Sequence, residues 1–264
     1  MPSYPRWSSR FELKPGSWVY VPTKETSEEG RLIKDKVENF WKVPKYYYHL
    51  KSGGHVAALR SHAHHKFFAR LDIKNFFSSV GKSRITRSLK GYVGYPKARD
   101  IAEKSTVTHP NNGGESFANV LPFGFVQSPV IASLCLSKSA LGRFLSEVYK
   151  DKRFSVSVYM DDIILSSDDA DRLRYVYDEA RRLAERSRFP INDRKSEPPS
   201  GKITAFNIEL SSNSLEITRE RLGELMEEYD NSNSKDQKEG ILGYVRSVNE
   251  RQAMLFFASG DLVV

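Results

Sequence analysis

SVYMDDIILSS, Ser157 to Ser167, sets two adjacent carboxylates, Asp161 and Asp162, between two short apolar runs. Phe154, Val156 and Val158 alternate with polar residues as a half-buried strand does, and Ile163 to Leu165 form a second run only a few residues later. The pattern predicts a β-hairpin with the acid pair in its tight turn. A turn tolerates Asp, whose short side chain bonds locally, yet two like charges side by side repel. A divalent cation would relieve that repulsion. A third acid, Asp72, ends another apolar strand in FFARLDIKNFFSSV, Phe67 to Val80. Hard oxygen donors from two strands suit octahedral Mg²⁺ shared with substrate phosphates, which points to two-metal phosphoryl transfer.

The rest of the composition agrees with a polyanionic partner. The 264 residues carry 41 Lys and Arg against 33 Asp and Glu, a formal charge of +8, which favours a polyanion of unspecified kind over an acidic-protein or cationic-ligand role. With 39% hydrophobic residues the chain has a core to bury, so wholesale disorder is excluded. The single cysteine, Cys135, excludes a disulfide framework and a cysteine-based zinc site. MPSYPRWSSR lacks the apolar stretch of a secretory signal and no later stretch has the apolar length of a membrane span, so a cytoplasmic protein with no membrane partner is expected.

Around the hairpin, Ser17 to Pro22 reads as one arm of a second hairpin and Leu32 to Trp41 as a helix. Ser79 or Ser83 is placed to cap a basic helix toward Leu89. Residues 108–119 carry loop signals, and Ser128 with Pro129 opens a helix to about Tyr149. A helix from Asp169 to Arg188 has an apolar stripe at Leu173, Val176, Tyr177, Ala180 and Leu183. A strand from Ile203 to Leu210, a helix from Thr218 to Tyr229, a polar loop over 231–240 and a helix from Ile241 to Phe257 complete the pattern.

YMDD, Tyr159 to Asp162, resembles the catalytic hairpin of reverse transcriptases, and the segment around Asp72 resembles their first carboxylate strand. LPFGFVQSP, Leu121 to Pro129, is similar to the segment that opens the helix beneath the incoming nucleotide and template. INDRKS, Ile191 to Ser196, is similar to the lysine-bearing motif after the palm helix. The resemblance runs over about residues 66–212 and is closest to bacterial enzymes of the retron, group II intron and defence-associated kind. It implies an α/β (α+β) right-hand polymerase fold: fingers over 1–65, an RRM-like antiparallel palm over 66–212 with a fingers-side insertion around 84–119, and a reduced helical thumb over 213–264. It also implies Asp72, Asp161 and Asp162 as ligands of Mg²⁺ or Mn²⁺, with the Ile73 carbonyl completing the first metal shell. Lys195 would donate to the departing pyrophosphate, and Lys24 and Arg31 are the candidates to clamp the triphosphate from the N-terminal hairpin. Phe77 aligns with the family's steric gate, a ring that would collide with a 2′-hydroxyl and so select deoxynucleotides.

The chain departs from that family at Phe123, where most relatives carry a glutamine that helps to seat the nucleotide; Gln127, four residues on, is the candidate substitute. Ile203, Thr204 and Ala205 stand where retron enzymes carry Val-Thr-Gly, and the thumb-like segments from Ser214 and from Gly243 are short. A short thumb implies help from a structured RNA, a partner protein or self-association. Lys82, Arg84, Arg87 and Lys90 form a basic cluster suited to phosphate contact, and Tyr46, Tyr47, Tyr48, His49 and Lys51 mix aromatic and cationic groups as a base-stacking surface would. His62, His64 and His65 read as surface or RNA-contacting residues, since no cysteine or second histidine cluster accompanies them. The expected activity is RNA-directed DNA synthesis from deoxynucleoside triphosphates, copying a dedicated non-coding RNA template into a DNA product in bacterial antiphage defence. Template-independent DNA synthesis of the abortive-infection type and a non-catalytic RNA-binding subunit are the alternatives; three retained carboxylates speak against the second.

Overall fold

The computed structural model describes residues 5–14, 17–108 and 119–258, so the loop expected over 108–119 falls almost wholly outside the described residues. In chain order the elements are β1 (Trp7–Lys14), β2 (Ser17–Pro22), α1 (Lys24–Phe40), a 3₁₀ turn (Tyr48–Leu50), α2 (Gly54–Arg60) and β3 (Phe67–Asp72). Next come α3 (Lys82–Val93), α4 (Tyr95–Ser105), α5 (Ser128–Ser137), α6 (Ala140–Lys150), β4 (Phe154–Tyr159), β5 (Asp162–Ser167) and α7 (Ala170–Arg186). β6 (Glu197–Ser200), β7 (Lys202–Ala205), β8 (Ile208–Ser211), β9 (Ser214–Ile217), α8 (Arg219–Asn231), α9 (Lys235–Val248) and α10 (Glu250–Ala258) follow.

An antiparallel sheet of order β4-β5-β3-β6 organises the molecule. β5 is buried along its whole length because both of its faces are covered, which is why its sequence runs Ile-Ile-Leu without alternation. Ile163 and Leu165, with Ala69 and Leu71 of β3, face one apolar cluster that includes Ile131 and Leu134 of α5, Leu145 of α6 and Leu173 of α7. Ile164 and Phe68 face a second cluster with Ile203, Leu210, Leu222 and Val245. That second cluster joins the central sheet to the β7-β8-β9 sheet and the last helices. The β7-β8-β9 sheet spans 202–217 and so crosses the boundary expected after residue 212.

Several elements differ from expectation. Thr23, not a residue near Leu32, starts α1, its hydroxyl accepting from the Thr26 amide. The helix expected from Ser128 to Tyr149 is two: the chain breaks at Lys138, and Ser139 caps α6 by accepting from the Gly142 amide at 3.0 Å. A Cβ at Gly142 would lie 2.1 Å from the Leu136 carbonyl oxygen, so the break depends on glycine there. Gly81 and Gln127 occupy the N-cap positions of α3 and α5, and neither Ser79, Ser83 nor Ser128 caps them. Ile203 to Leu210 is not one strand but the β7-β8 hairpin, turned by Phe206 and Asn207 at φ of 57° and 59°. The loop over 231–240 shrinks to 232–234 because Ser234 caps α9, and the last expected helix is interrupted at Asn249.

His62 and His65 are core residues, contrary to the surface reading. His62 is wholly buried between the Ser166 and Ser157 hydroxyls, both 2.8 Å from its ring nitrogens, and His65 meets Ser166 at 2.7 Å. Burial, then the nearby His65 and His64, pushes the His62 pKa down to about 3. Below pH 6.5 the unfolded chain takes up a proton that the folded His62 refuses, so its contribution to stability is complete above about 6.5 and is lost as pH falls toward 3. Thermal unfolding as a function of pH should show this group as a slope of about 1.4 kcal/mol per pH unit on the acid side. His62→Gln should flatten that slope; an acid limb identical to that of the unaltered chain would remove His62 from the account.

Candidate active site

The ladder between β3 and β5 sets Asp72 directly opposite Asp162, and the β4-β5 hairpin closes with Tyr159 opposite Asp162. Only Met160 and Asp161 lie in the turn. Met160 has a φ of 55°, a left-handed conformation that costs energy in a residue with a Cβ. Its amide donates to Nδ1 of His49 at 2.9 Å, while Nε2 of the same ring lies 2.7 Å from the Ser133 hydroxyl, which donates to the Pro129 carbonyl. Nδ1 accepts, so the ring is the neutral Nε2–H form, and burial lowers its pKa to about 4. One side chain thereby ties the acid turn to the first turn of α5. From the other side, the Ile73 amide donates to the Asp161 carbonyl at 2.8 Å, the Asp72 amide to the Ser196 hydroxyl at 3.0 Å and the Asn192 amide to the Asp72 carbonyl at 2.8 Å. INDRKS therefore folds back against the first acid strand and brings Lys195 Nζ to 3.9 Å from Asp72 Oδ2.

The carboxylates are only partly compensated. Arg70 lies two residues before Asp72 and so on the same face of β3. Its Nε donates to Asp162 Oδ1 at 2.7 Å, Nη1 to the Thr204 carbonyl at 2.8 Å, and Nη2 stands 3.8 Å from Asp72 Oδ2. Burial raises the Asp162 pKa, with Arg70 opposing the rise. Asp161, which has no such partner, is pushed up to about 6 by burial and by the charges of Asp162 and Asp72. A pair of hard oxygen donors with surplus negative charge is the donor set a divalent cation takes. Among the described residues no three His, Cys, Asp or Glu side chains are yet grouped as a complete ion site; Asp162 is engaged by Arg70.

A cavity of about 440 Å³ opens in front of Asp72 and Asp161. Lys195, Ile73, Phe77 and Phe123 line it, and Trp18 to Tyr20 of β2 roof it. The roof is held where the Tyr20 amide donates to the Phe123 carbonyl at 2.9 Å; a Cβ on Gly124, at a φ of 110°, would stand 2.2 Å from the Tyr20 carbonyl oxygen. Phe77 meets Phe123 edge to face, ring centres 5.7 Å apart, while Phe76 beside it is buried at 4% exposure with its ring 6.0 Å from that of Phe189. The nitrogen of Trp18 is buried in this roof with no hydrogen-bond partner.

Other residues singled out from the sequence lie elsewhere. Gln127 is 1% exposed, its amide held between Gly30 of α1 and Ser105 of α4, so it does not reach the cavity. Lys24 and Arg31 are exposed on α1, not on the hairpin, and neither lines the cavity. Tyr46 and Tyr47 are 2% and 1% exposed; the Val158 amide donates to the Tyr46 carbonyl at 2.8 Å, fixing the pair against β4, and no ring face is left for a base. Burial pushes Tyr46 up to about 12. Arg70 and His49 are the residues that sequence reasoning missed. A cation inside an apolar strand, two residues from an acid, is the available signal for Arg70; His49 carries no signal in the sequence beyond its place in an aromatic run.

An antiparallel sheet with acids at the adjoining ends of neighbouring strands and helices across one face is the architecture of a palm-type nucleic-acid polymerase. The sequence narrows this: the profile described as reverse transcriptase (RNA-dependent DNA polymerase) matches residues 21–215, and the chain belongs to that family. Its fold is similar to telomerase from Candida albicans in complex with a TWJ fragment of telomeric RNA, with a TM-score of 0.52 at 11% identity over 89% of this chain and 47% of that one. It is similar also to apo telomerase from Candida tropicalis truncated from its C-terminal domain, with a TM-score of 0.52 at 12% identity over 73% and 45%. The chain thus spans about half the length of these structures. No curated protein matches the sequence. No described helix is long and apolar enough to cross a membrane.

Removing Arg70 leaves Asp162 buried and unpaired, so Arg70→Gln should destabilise the fold by about 3 kcal/mol or more in urea unfolding. Adding Asp162→Asn should recover part of that loss. Strictly additive losses in the double variant would show that the 2.7 Å contact carries no coupling.

Proposed function

We propose that this chain is an RNA-directed DNA polymerase that joins deoxynucleotides by in-line phosphoryl transfer. The reading rests on one observation above the rest: Asp72 and Asp161 share a nucleotide-sized cavity with Lys195 and Phe77. Asp72, Asp161 and Asp162, with the Ile73 carbonyl, are the groups to hold Mg²⁺ or Mn²⁺, which when bound would acidify the attacking 3′-hydroxyl and neutralise the pyrophosphate. Lys195 stands beside Asp72 as a flexible cation able to hydrogen-bond the departing phosphate oxygens. Arg70 holds Asp162 in place and keeps the two buried carboxylates, Asp72 and Asp162, from repelling one another apart. Phe77 and Phe123 form an aromatic wall against which a sugar can lie, with Phe77 excluding the 2′-hydroxyl.

Within that reading β1, β2 and α1 belong to the fingers, the sheet around Asp72 and Asp162 to the palm, and α8 to α10 to the thumb. An RNA template, deoxynucleoside triphosphates and a DNA product are the partners, with a dedicated non-coding RNA and a role in bacterial antiphage defence as the finer assignment. Phe123 in place of the family's glutamine keeps template-independent synthesis as the second reading, and sequencing the product against the RNA supplied distinguishes the two.

Asp161→Asn relieves the repulsion inside the acid cluster, so it should raise the melting temperature in metal-free buffer, remove the stabilisation given by added Mg²⁺, and abolish incorporation. Undiminished synthesis by this variant would overturn the assignment. Phe77→Ala should raise ribonucleotide incorporation relative to deoxynucleotide about 10- to 100-fold in single-turnover assays; no change in that ratio would take the gate away from Phe77.

A further inference from the structure

A larger groove, about 1800 Å³, shares Asn75, Ser78 and Val120 with the catalytic cavity and extends between α3, the α5–α6 junction and the C-terminal end of α7. Eight cations line it against one carboxylate, Glu185. The sequence cluster on α3 is only one of its walls; Lys138, Arg143, Arg186 and Arg188 come from the other two elements. Lys82 pairs with Glu103 at 2.9 Å, but Arg87, Lys90, Arg186 and Arg188 stand exposed and in no ion pair among the described residues.

Arg84 is the fixed point of the groove. Its Nη2 donates to the Ser187 carbonyl at 2.6 Å, its guanidinium lies 4.4 Å from the centre of the Phe189 ring, and its Nη1 is buried with no hydrogen-bond partner. A buried guanidinium donor without a partner is costly, and crowding it with Arg87 and Arg188 adds like-charge repulsion. The Ser187 hydrogen bond and the Phe189 contact return part of that cost but do nothing to offset the like-charge repulsion. An anion laid along the groove would.

We propose that this groove binds the backbone of a structured RNA, apart from the template that is copied in the catalytic cavity; the choice of RNA among polyanions rests on the polymerase reading above. The cations outnumber the charges of one triphosphate. From Lys82 to Lys90 they extend about 12 Å along α3 alone, so the ligand is a polymer. Apolar surface is present in the wall, Tyr92 stacking on Phe40 and lying near Lys138 among it, but the charged groups are cations spread over three elements, which is the pattern a phosphate backbone meets. An RNA anchored here stays bound while the duplex in the cavity moves.

The test is the salt dependence of binding of a labelled RNA hairpin that carries no primer junction. Arg143→Glu/Arg186→Glu should weaken binding at least about tenfold and lower the slope of log K against log salt by about 2. Both side chains are exposed, so the fold should survive, and Arg87→Glu/Lys90→Glu repeats the experiment on the opposite wall. Asp161→Asn should leave affinity and slope unchanged. Unaltered affinity and slope in both pairs would overturn the proposal, as would polyglutamate displacing the hairpin as well as unlabelled RNA does. Failure of the polymerase reading has a different signature: no incorporation by the unaltered chain while hairpin binding stays sensitive to the groove.

Discussion

Everything functional in this molecule depends on the register that puts Asp72 opposite Asp162, and on Arg70 being there to make that register tolerable. Two carboxylates at 4% and 7% exposure on adjacent strands would drive the strands apart in a low-dielectric interior. The guanidinium of Arg70 reaches both, and its remaining edge is spent on the Thr204 carbonyl of β7. The central sheet, the acid cluster and the second sheet therefore share one side chain. A one-residue slip of β3 would turn Arg70 and Asp72 to the opposite face and put Leu71 in their place, so the apolar pattern and the charge pattern enforce the same alignment.

Precision at the turn has a second source. Asp161 can face the cavity because Met160 accepts a left-handed backbone, and Met160 is held so by a neutral imidazole buried against it. His49 could not do this as a cation, for its Nδ1 must accept the Met160 amide. The burial that lowers its pKa to about 4 is thus part of the geometry of the turn. Through Ser133 the same ring reaches the helix whose preceding loop carries Phe123, so the cavity's acid floor and aromatic wall are positioned from a common point.

The acid strands were legible in the sequence because strand periodicity and turn chemistry act locally: Val156, Val158 and Ile163 to Leu165 have no other way to bury themselves than as a hairpin. Phe76 and Phe77 lie beyond the end of β3, in a turn where strand alternation does not hold, so the sequence pattern could not say which ring faces the cavity. Tyr46 and Tyr47 were not legible either. A run of tyrosines beside a lysine has the composition of a base-stacking surface, and only the parallel bridge from Tyr47 to Val158, a contact over more than a hundred residues, decides that the rings are core. Gln127 was misread because four residues of spacing say nothing about Gly30, which sits on another helix and leaves room for the amide. The break at Ser139 was hidden by an apolar stripe that continues through it, for a capping serine and a close-packed glycine are single-residue signals inside a strong periodic one.

Charge in this chain is segregated, not spread. A net +8 distributed evenly would attract any polyanion weakly to any face. Instead three acids, only partly compensated by Arg70 and Lys195, gather at the adjoining ends of β3 and β5, and a group of cations gathers around α3 and the end of α7, with residues 73–81 as the short connection between them. The two concentrations cannot neutralise each other, because Phe76 and Val80 on that connection are anchored in the core and hold the sides apart. Each is left with a surplus of one sign, negative at the acids and positive in the groove. Holding them a few residues apart keeps the acid cluster and the basic groove from collapsing onto one another.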